Sequence, residues 1–272
     1  MPTLDRLILD FDETITTSDT TPVIASTAKR PTTCPAWSSF LDAYLENYKN
    51  HTPPEPTHDP PTTEDLLAYL DSYKSVERAS ISRVIEAGAL RGTTRASLFA
   101  AGASVPTQKG WAAFANCWLE NRSNDVALYL SSVNWSMDII RGTLNAANIC
   151  IPDSNILAND LEYDSHGIST GGLSVRFMTG SDKLRGLQER LETLDGCIYI
   201  GDSVSDIPCM HAASVGILIR PSDSVSMLCE KYGIPTRPLP SQLDECQAGV
   251  IYIANNGWAQ IHALACPNDK TL

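Results

Sequence analysis

The sequence predicts an α/β fold, a doubly wound parallel sheet with an inserted helical cap domain, on three observations. Apolar runs rich in Ile, Val, Leu and Tyr recur at 6–11, 126–131, 197–200, 214–219 and 249–254. Most are separated by stretches with helical spacing, and strands that alternate with helices pair in parallel with helices on both faces. The segment 21–107 has almost no strand signal and interrupts that alternation after the first run.

Taken in order, the first run is "RLILDFDETITTSD", residues 6–19, where a buried-looking strand ends on Asp10 and, one Phe later, Asp12. Two neighbouring carboxylates repel by a few kcal/mol at an effective dielectric of about 20, so a cation or a reaction is implied. The insert follows. "PAWSSFLDAYLENYKN" is helical, "HTPPEPTHDPP" is a stiff solvated spacer, and "TTEDLLAYLDSYKSVERASISRVIEAGALRG" has apolar residues at 66, 67, 70, 73, 81, 84 and 85 after a Thr cap. His51 and His58 in the spacer lack Cys or acidic partners at ligand spacing and are read as surface residues. Trp37, Phe40, Tyr44 and Tyr48 form one helical stripe, which by itself reads as core packing more readily than as a wall for a ring substrate.

Beyond the insert, helices are predicted over 108–121, 135–147, 181–194, 222–231 and 256–265. "ILANDLEYDSHGISTGGLSVRF", 156–177, has a Gly-rich turn between short β-like segments and reads as an antiparallel excursion. The domain boundaries expected are 1–20 with 108–272 for the sheet domain and 21–107 for the helical cap.

The bulk numbers bound the function. The chain has 272 residues, 43% hydrophobic, enough for a sizeable core, and a net charge of −12 that disfavours nucleic acid and anionic membrane. No stretch is long enough to cross a bilayer and the N-terminus has no leader pattern. The eight cysteines, at 34, 117, 150, 197, 209, 229, 246 and 266, form no C-x-x-C pair and read as free buried thiols, which points to a cytoplasmic location. The triplets at Asn121 and Asn134 and the tail "DKTL" carry no weight in that setting.

In a parallel sheet, polar residues just past the strands' carboxyl ends meet in one crevice. Here these are Asp10 and Asp12, Ser131 or Ser132, and Asp202 with Asp206, while Lys183 opens the helix before the strand of "CIYIGDSVSD". Together they resemble the haloacid dehalogenase superfamily pattern: "DFDET" for D-x-D-x-T, then a strand-terminal Ser, then Lys, then "GDSVSD". The resemblance spans nearly the whole chain. The family often has Gly after the motif Ser and this chain does not; Ser132 is preferred because it gives the family-like S-x-N with Asn134.

The resemblance implies a phosphatase acting through an aspartyl-phosphate on Asp10, with Asp12 as general acid and base. Mg²⁺ would be held by Asp10, Asp202 and the main-chain oxygen of Asp12. Ser132 and Lys183 would hold the phosphate, Asp206 would orient Lys183 from the outer shell, and Thr14 would prop the loop. Each role answers a need, since a phosphomonoester dianion must be neutralised before an anion can attack it. A phosphotransferase (mutase) and a catalytically silent regulatory protein use the same fold, and a dehalogenase has no need of Asp12. "SVERASISRVIEAGALRG" and "YIGDSVSDIPCMHAASVGILI" are further similar to the phosphatase portion of plant thiamin monophosphate phosphatase and to fungal relatives, which implies a small phosphorylated metabolite as substrate.

Overall fold

The computed structural model describes residues 4–120 and 127–266. The readings made at the very N-terminus, at Asn121 and on "DKTL" lie outside these residues. Strand β1 (Arg6–Leu9) is followed by five helices: α1 (Thr21–Ser26), α2 (Trp37–Asn50), α3 (Thr63–Ser72), α4 (Lys74–Glu86) and α5 (Arg95–Gly102). Then come α6 (Trp111–Glu120), β2 (Ala127–Ser131), α7 (Met137–Ala146) and β3 (Ile156–Leu157). A hairpin of β4 (Asp160–Tyr163) and β5 (Ser169–Ser174) precedes α8 (Gly180–Leu191), β6 (Cys197–Gly201), α9 (Ile207–Ala212) and β7 (Val215–Ile219). The described chain ends with α10 (Asp223–Lys231), β8 (Thr236–Pro238), β9 (Ile251–Ala254) and α11 (Trp258–Ala265).

The main sheet has seven strands in the order β3-β2-β1-β6-β7-β9-β8, all pairs parallel. β1 lies between β2 and β6, with Leu7 opposite both Leu128 and Ile198. After β1 the chain builds outward through β2 and β3, then crosses back to β6. The loops after β1, β2 and β6 therefore gather at the point where strand order reverses, the usual place for a crevice in an open α/β sheet.

The alternation of strand side chains divides the core. Leu7 and Leu9 face one layer, with Phe114, Trp118 and Trp258 from α6 and α11. Ile8, Tyr129 and Tyr199 face the other, with Leu184, Leu187, Ile207 and Val225. Of the helices between β1 and β2, α3 joins this second layer through Leu66 and Leu70. A capping box begins it as its sequence predicts: Thr62 N–H donates to the Asp65 carboxylate at 2.9 Å and Asp65 N–H to the Thr62 hydroxyl at 3.4 Å. α5 packs against α7 so closely that a Cβ on Gly102 would lie 2.2 Å from the Ile139 carbonyl oxygen, and only glycine permits that crossing.

Three details differ from the sequence reading. The stiff spacer is tied to α3 rather than surrounded by solvent alone: Thr57 donates through N–H and hydroxyl to Asp65 at 2.7 and 2.8 Å, His58 pairs with the same carboxylate at 2.9 Å, and His51 meets the Ser72 hydroxyl at 2.8 Å. Cys117 and Cys266 form a disulfide joining α6 to the end of α11 across 149 residues of sequence, which corrects the reading of all eight cysteines as free. Their pairing depends on how two helices pack and leaves no mark in local spacing. Cys150 is exposed, and Cys34 and Cys246 are only partly buried. The cytoplasmic location expected from free thiols loses that support. No helix among the described residues is long and apolar enough to cross a membrane.

Candidate active site

The loop after β1 is built to hold two acids still. Asp10 N–H donates to the Ile200 carbonyl at 3.0 Å, so its backbone remains tied to β6 beyond the strand's end. The chain then turns through Glu13 at φ +60°, and Ile15 and Thr16 N–H both return to the Phe11 carbonyl, at 2.9 and 3.1 Å. Asp12 is clamped from two sides. Its Oδ1 accepts from Thr20 N–H at 2.8 Å and the Thr20 hydroxyl at 2.7 Å, and its Oδ2 from Asn134 Nδ2 at 2.7 Å. Burial outweighs those bonds and pushes the Asp12 carboxyl up to about 6.

The second half of the site follows β6. A Cβ on Gly201 would meet the Asp206 Cγ at 2.4 Å, so the bare backbone there lets Asp206 tuck beneath the strand end. Asp206 Oδ2 accepts from Asp202 N–H, Ser203 N–H and the Ser203 hydroxyl at 3.2, 3.1 and 2.8 Å. Its Oδ1 accepts from the Tyr199 hydroxyl at 2.7 Å and from Lys183 Nζ at 2.5 Å. The same ammonium donates to Asp10 Oδ1 at 2.8 Å. Thr14 donates its hydroxyl to Asp202 Oδ1 at 3.0 Å.

These acids are not equivalent electrostatically. Asp10 is desolvated and lies beside the Asp206 charge, so its carboxyl stands well above the ordinary range despite Lys183. Burial, then the Asp206 charge, pushes Asp202 up to about 7. Asp206 is equally desolvated, but Lys183, Tyr199 and Ser203 outweigh that cost and hold it below the ordinary value. Lys183 is likewise desolvated, and its two carboxylate partners overcome this and raise it. Asp10 and Asp202 are thus the two carboxyls whose charged forms the site leaves short of a counter-ion.

Oxygens of Asp10, Asp202 and Asp206 lie within 4.8 Å of one another, so the donor set fits a hard divalent cation. With both Asp206 oxygens already bonded, Asp10 and Asp202 have the capacity left to ligate.

These groups open onto a cavity of about 350 Å³ lined by Asp10, Asp12, Ser132 and Asp202, with Trp37, Phe40, Tyr44 and Trp135 as its aromatic wall. Ser132 lines it; the Ser131 hydroxyl is buried elsewhere without a hydrogen-bond partner among the described residues. Lys183 lies behind Asp10 and is not part of the lining. The aromatic stripe of α2 is therefore split. Trp37, Phe40 and Tyr44 reach the cavity, whereas Tyr48 stacks on Tyr73 with centroids 4.8 Å apart.

Four residues at the site were not singled out by the sequence reading as candidates: Thr20, Asn134, Tyr199 and Arg220. Asn134 had a signal in the S-x-N spacing. Arg220, at φ +53°, donates to the Glu13 carbonyl and sits 3.8 Å from Asp202 Oδ2, a contact that only the fold creates.

Residues 7–211 match the family model described as haloacid dehalogenase-like hydrolase. A CTO1 family protein of Schizosaccharomyces pombe is 28% identical over 233 residues, covering 78% of this chain and 81% of that protein. The mitochondrial bifunctional TH2 protein of Arabidopsis thaliana is 25% identical over 225 residues, 74% of this chain but 36% of that protein. Among solved structures, a phospho-aspartyl intermediate analogue of phosphoserine phosphatase superposes with a TM-score of 0.51 at 15% identity, covering 92% of this chain and 93% of that one, a likeness of fold.

Proposed function

Since the chain belongs to the haloacid dehalogenase-like hydrolases, we propose that it is a Mg²⁺-dependent phosphomonoesterase of small phosphorylated metabolites, with residues 21–107 as its substrate-selecting cap. One observation carries the reading: Asp10 and Asp12 line the same cavity, one paired with a buried ammonium and the other clamped with a carboxyl near 6.

In this reading Asp10 attacks phosphorus while Asp12 hands its proton to the leaving oxygen. The P–O bond to the alcohol breaks and an aspartyl-phosphate forms. Asp12, now ionised, takes a proton from water, which attacks phosphorus and frees Asp10. Asn134 and Thr20 keep Asp12 aimed. The Ser132 hydroxyl donates to a phosphoryl oxygen, and Lys183 offsets the charge of Asp10 from behind. Asp10, Asp202 and the main-chain oxygen of Asp12 would hold Mg²⁺, which would supply positive charge against the phosphate dianion. Thiamin monophosphate is the candidate substrate offered by the resemblance to the plant enzyme.

Two measurements test this. Asp12→Asn lowers kcat/KM for an alkyl phosphate by about 10² to 10⁴-fold, and lowers it far less for 4-nitrophenyl phosphate, whose leaving oxygen needs no proton. Equal losses on both substrates would remove Asp12 from the proton-transfer role. Mg²⁺ at a hundred times its Kd raises stability by about 2.7 kcal/mol, read as a higher Tm. Chelation abolishes phosphate release, and Asp202→Asn abolishes the Tm increase. Full turnover in chelator rejects the metal requirement.

A further inference from the structure

We infer that the cap side of the cavity selects leaving groups carrying a protonated or cationic nitrogen, and that Glu77 on α4 sets this preference; the inference rests on the phosphatase reading for its substrate, though not for its binding test. The cavity is lined by six carboxylates, those of Asp10, Asp12, Glu13, Asp19, Glu77 and Asp202, and among its described lining residues there is no Lys, Arg or His. Of the five other than Glu77, three belong to the reaction centre, one faces an arginine and one is exposed to water. Asp10, Asp12 and Asp202 form the reaction centre, Glu13 lies 3.8 Å from Arg220, and Asp19 accepts from Thr21 N–H and hydroxyl at 2.9 and 2.6 Å.

Glu77 stands apart. It is carried by α4 of the insert, and its Oε1 accepts from the Tyr44 hydroxyl at 2.9 Å. Its Oε2 has no hydrogen-bond partner and its carboxylate no ion pair among the described residues. Burial pushes its carboxyl above the ordinary value, and the Tyr44 bond offsets that only in part. A partly buried carboxylate without a counter-ion is a cost to the free protein, and a ligand that supplies the cation recovers it.

The neighbouring surfaces suit the same ligand. Trp37 and Trp135 meet edge to face, centroids 6.5 Å apart at 76°, and both line the cavity with Tyr44. Aromatic faces attract cationic nitrogen and repel anions. A leaving group bearing a carboxylate meets the opposite situation, with like charge on the wall and no cation to receive it.

The test uses the full chain and three alcohols of one shape, 4-(aminomethyl)phenol, 4-methylphenol and 4-hydroxybenzoate, with their phosphate esters. Calorimetric titration of the alcohols requires no turnover. The amine is expected to bind on the order of tenfold to hundredfold tighter than the carboxylate. Glu77→Gln, which keeps an acceptor for Tyr44, reduces that ratio by about tenfold, and the kcat/KM ratio of the esters moves in parallel. Equal binding of amine and carboxylate by the wild type, or an unchanged ratio in Glu77→Gln, overturns the inference. Release of phosphate from none of the three esters rejects the phosphatase reading instead, and the binding ratio still decides the role of Glu77.

Discussion

Asp10→Asn is expected to lower phosphate release by about 10⁴-fold or more, the scale seen when a covalent nucleophile is removed, without loss of the fold. The second half of that expectation makes the experiment decisive. In the native protein Asp10 is desolvated beside Asp206 and its carboxyl is held well above the ordinary range, so its charge is a strain on the folded state. An Asn side chain keeps an acceptor for Lys183 Nζ, now 2.8 Å from Oδ1, and removes the repulsion. The metal-free variant should therefore melt no lower than the wild type. Residual turnover above one per cent of wild type, measured on protein with an unaltered Tm, would exclude Asp10 as the nucleophile.

Lys183→Met is expected to have the largest effect on stability. The ammonium is fully buried and bridges Asp10 and Asp206. Breaking such a pair by removing one partner costs about 3 to 5 kcal/mol, because it leaves uncompensated charge in a dry interior. By contrast, the exposed pair of Lys231 and Glu55, at 3.1 Å, is worth at most about 1 kcal/mol. At roughly 2 to 4 °C per kcal/mol for a chain of this size, Lys183→Met should melt about 6 to 20 °C lower. Adding Asp206→Asn should restore part of the loss, since Tyr199 and Ser203 can still bond the amide oxygen or nitrogen. A single variant that melts within 2 °C of wild type would mean that water or a shifted side chain already compensates the two acids.

The two variants separate what local sequence can encode from what it cannot. Asp10, Asp12, Asp202 and Asp206 were legible because each follows an apolar run, and strand ends in a parallel sheet converge whatever their separation. Lys183 was legible only through the family pattern, since a lysine at the start of a helix reads as solvated. Nothing near Lys183 in sequence announces that α8 buries it completely. Tyr199 sits inside β6 at a core-facing position, where its ring is explained by packing and its hydroxyl is not. Thr20 and Arg220 act through contacts to Asp12 and to Glu13 and Asp202 that are set by loop closure.

The same distinction runs through the fold. The five long strand signals each correspond to a sheet strand, but β3 has two residues, and β8 is an exposed edge strand ending in Pro238. Neither is long enough for alternation to register. α1 and α9 span six residues each, below the length at which helical periodicity is detectable. The stripe of Trp37, Phe40 and Tyr44 was ambiguous for another reason: a helix packed on a core and one roofing a cavity bear the same spacing, and only the partner across the gap differs.

The indole of Trp258 donates to the main-chain oxygen of Thr14 at 3.0 Å, a bond spanning 244 residues. During synthesis the acids of the first loop leave the ribosome well ahead of the side chain that braces that loop, which follows 244 residues after Thr14. A nascent chain thus carries these acids long before it can hold them in shape, and the pocket cannot be completed until α11 has been made.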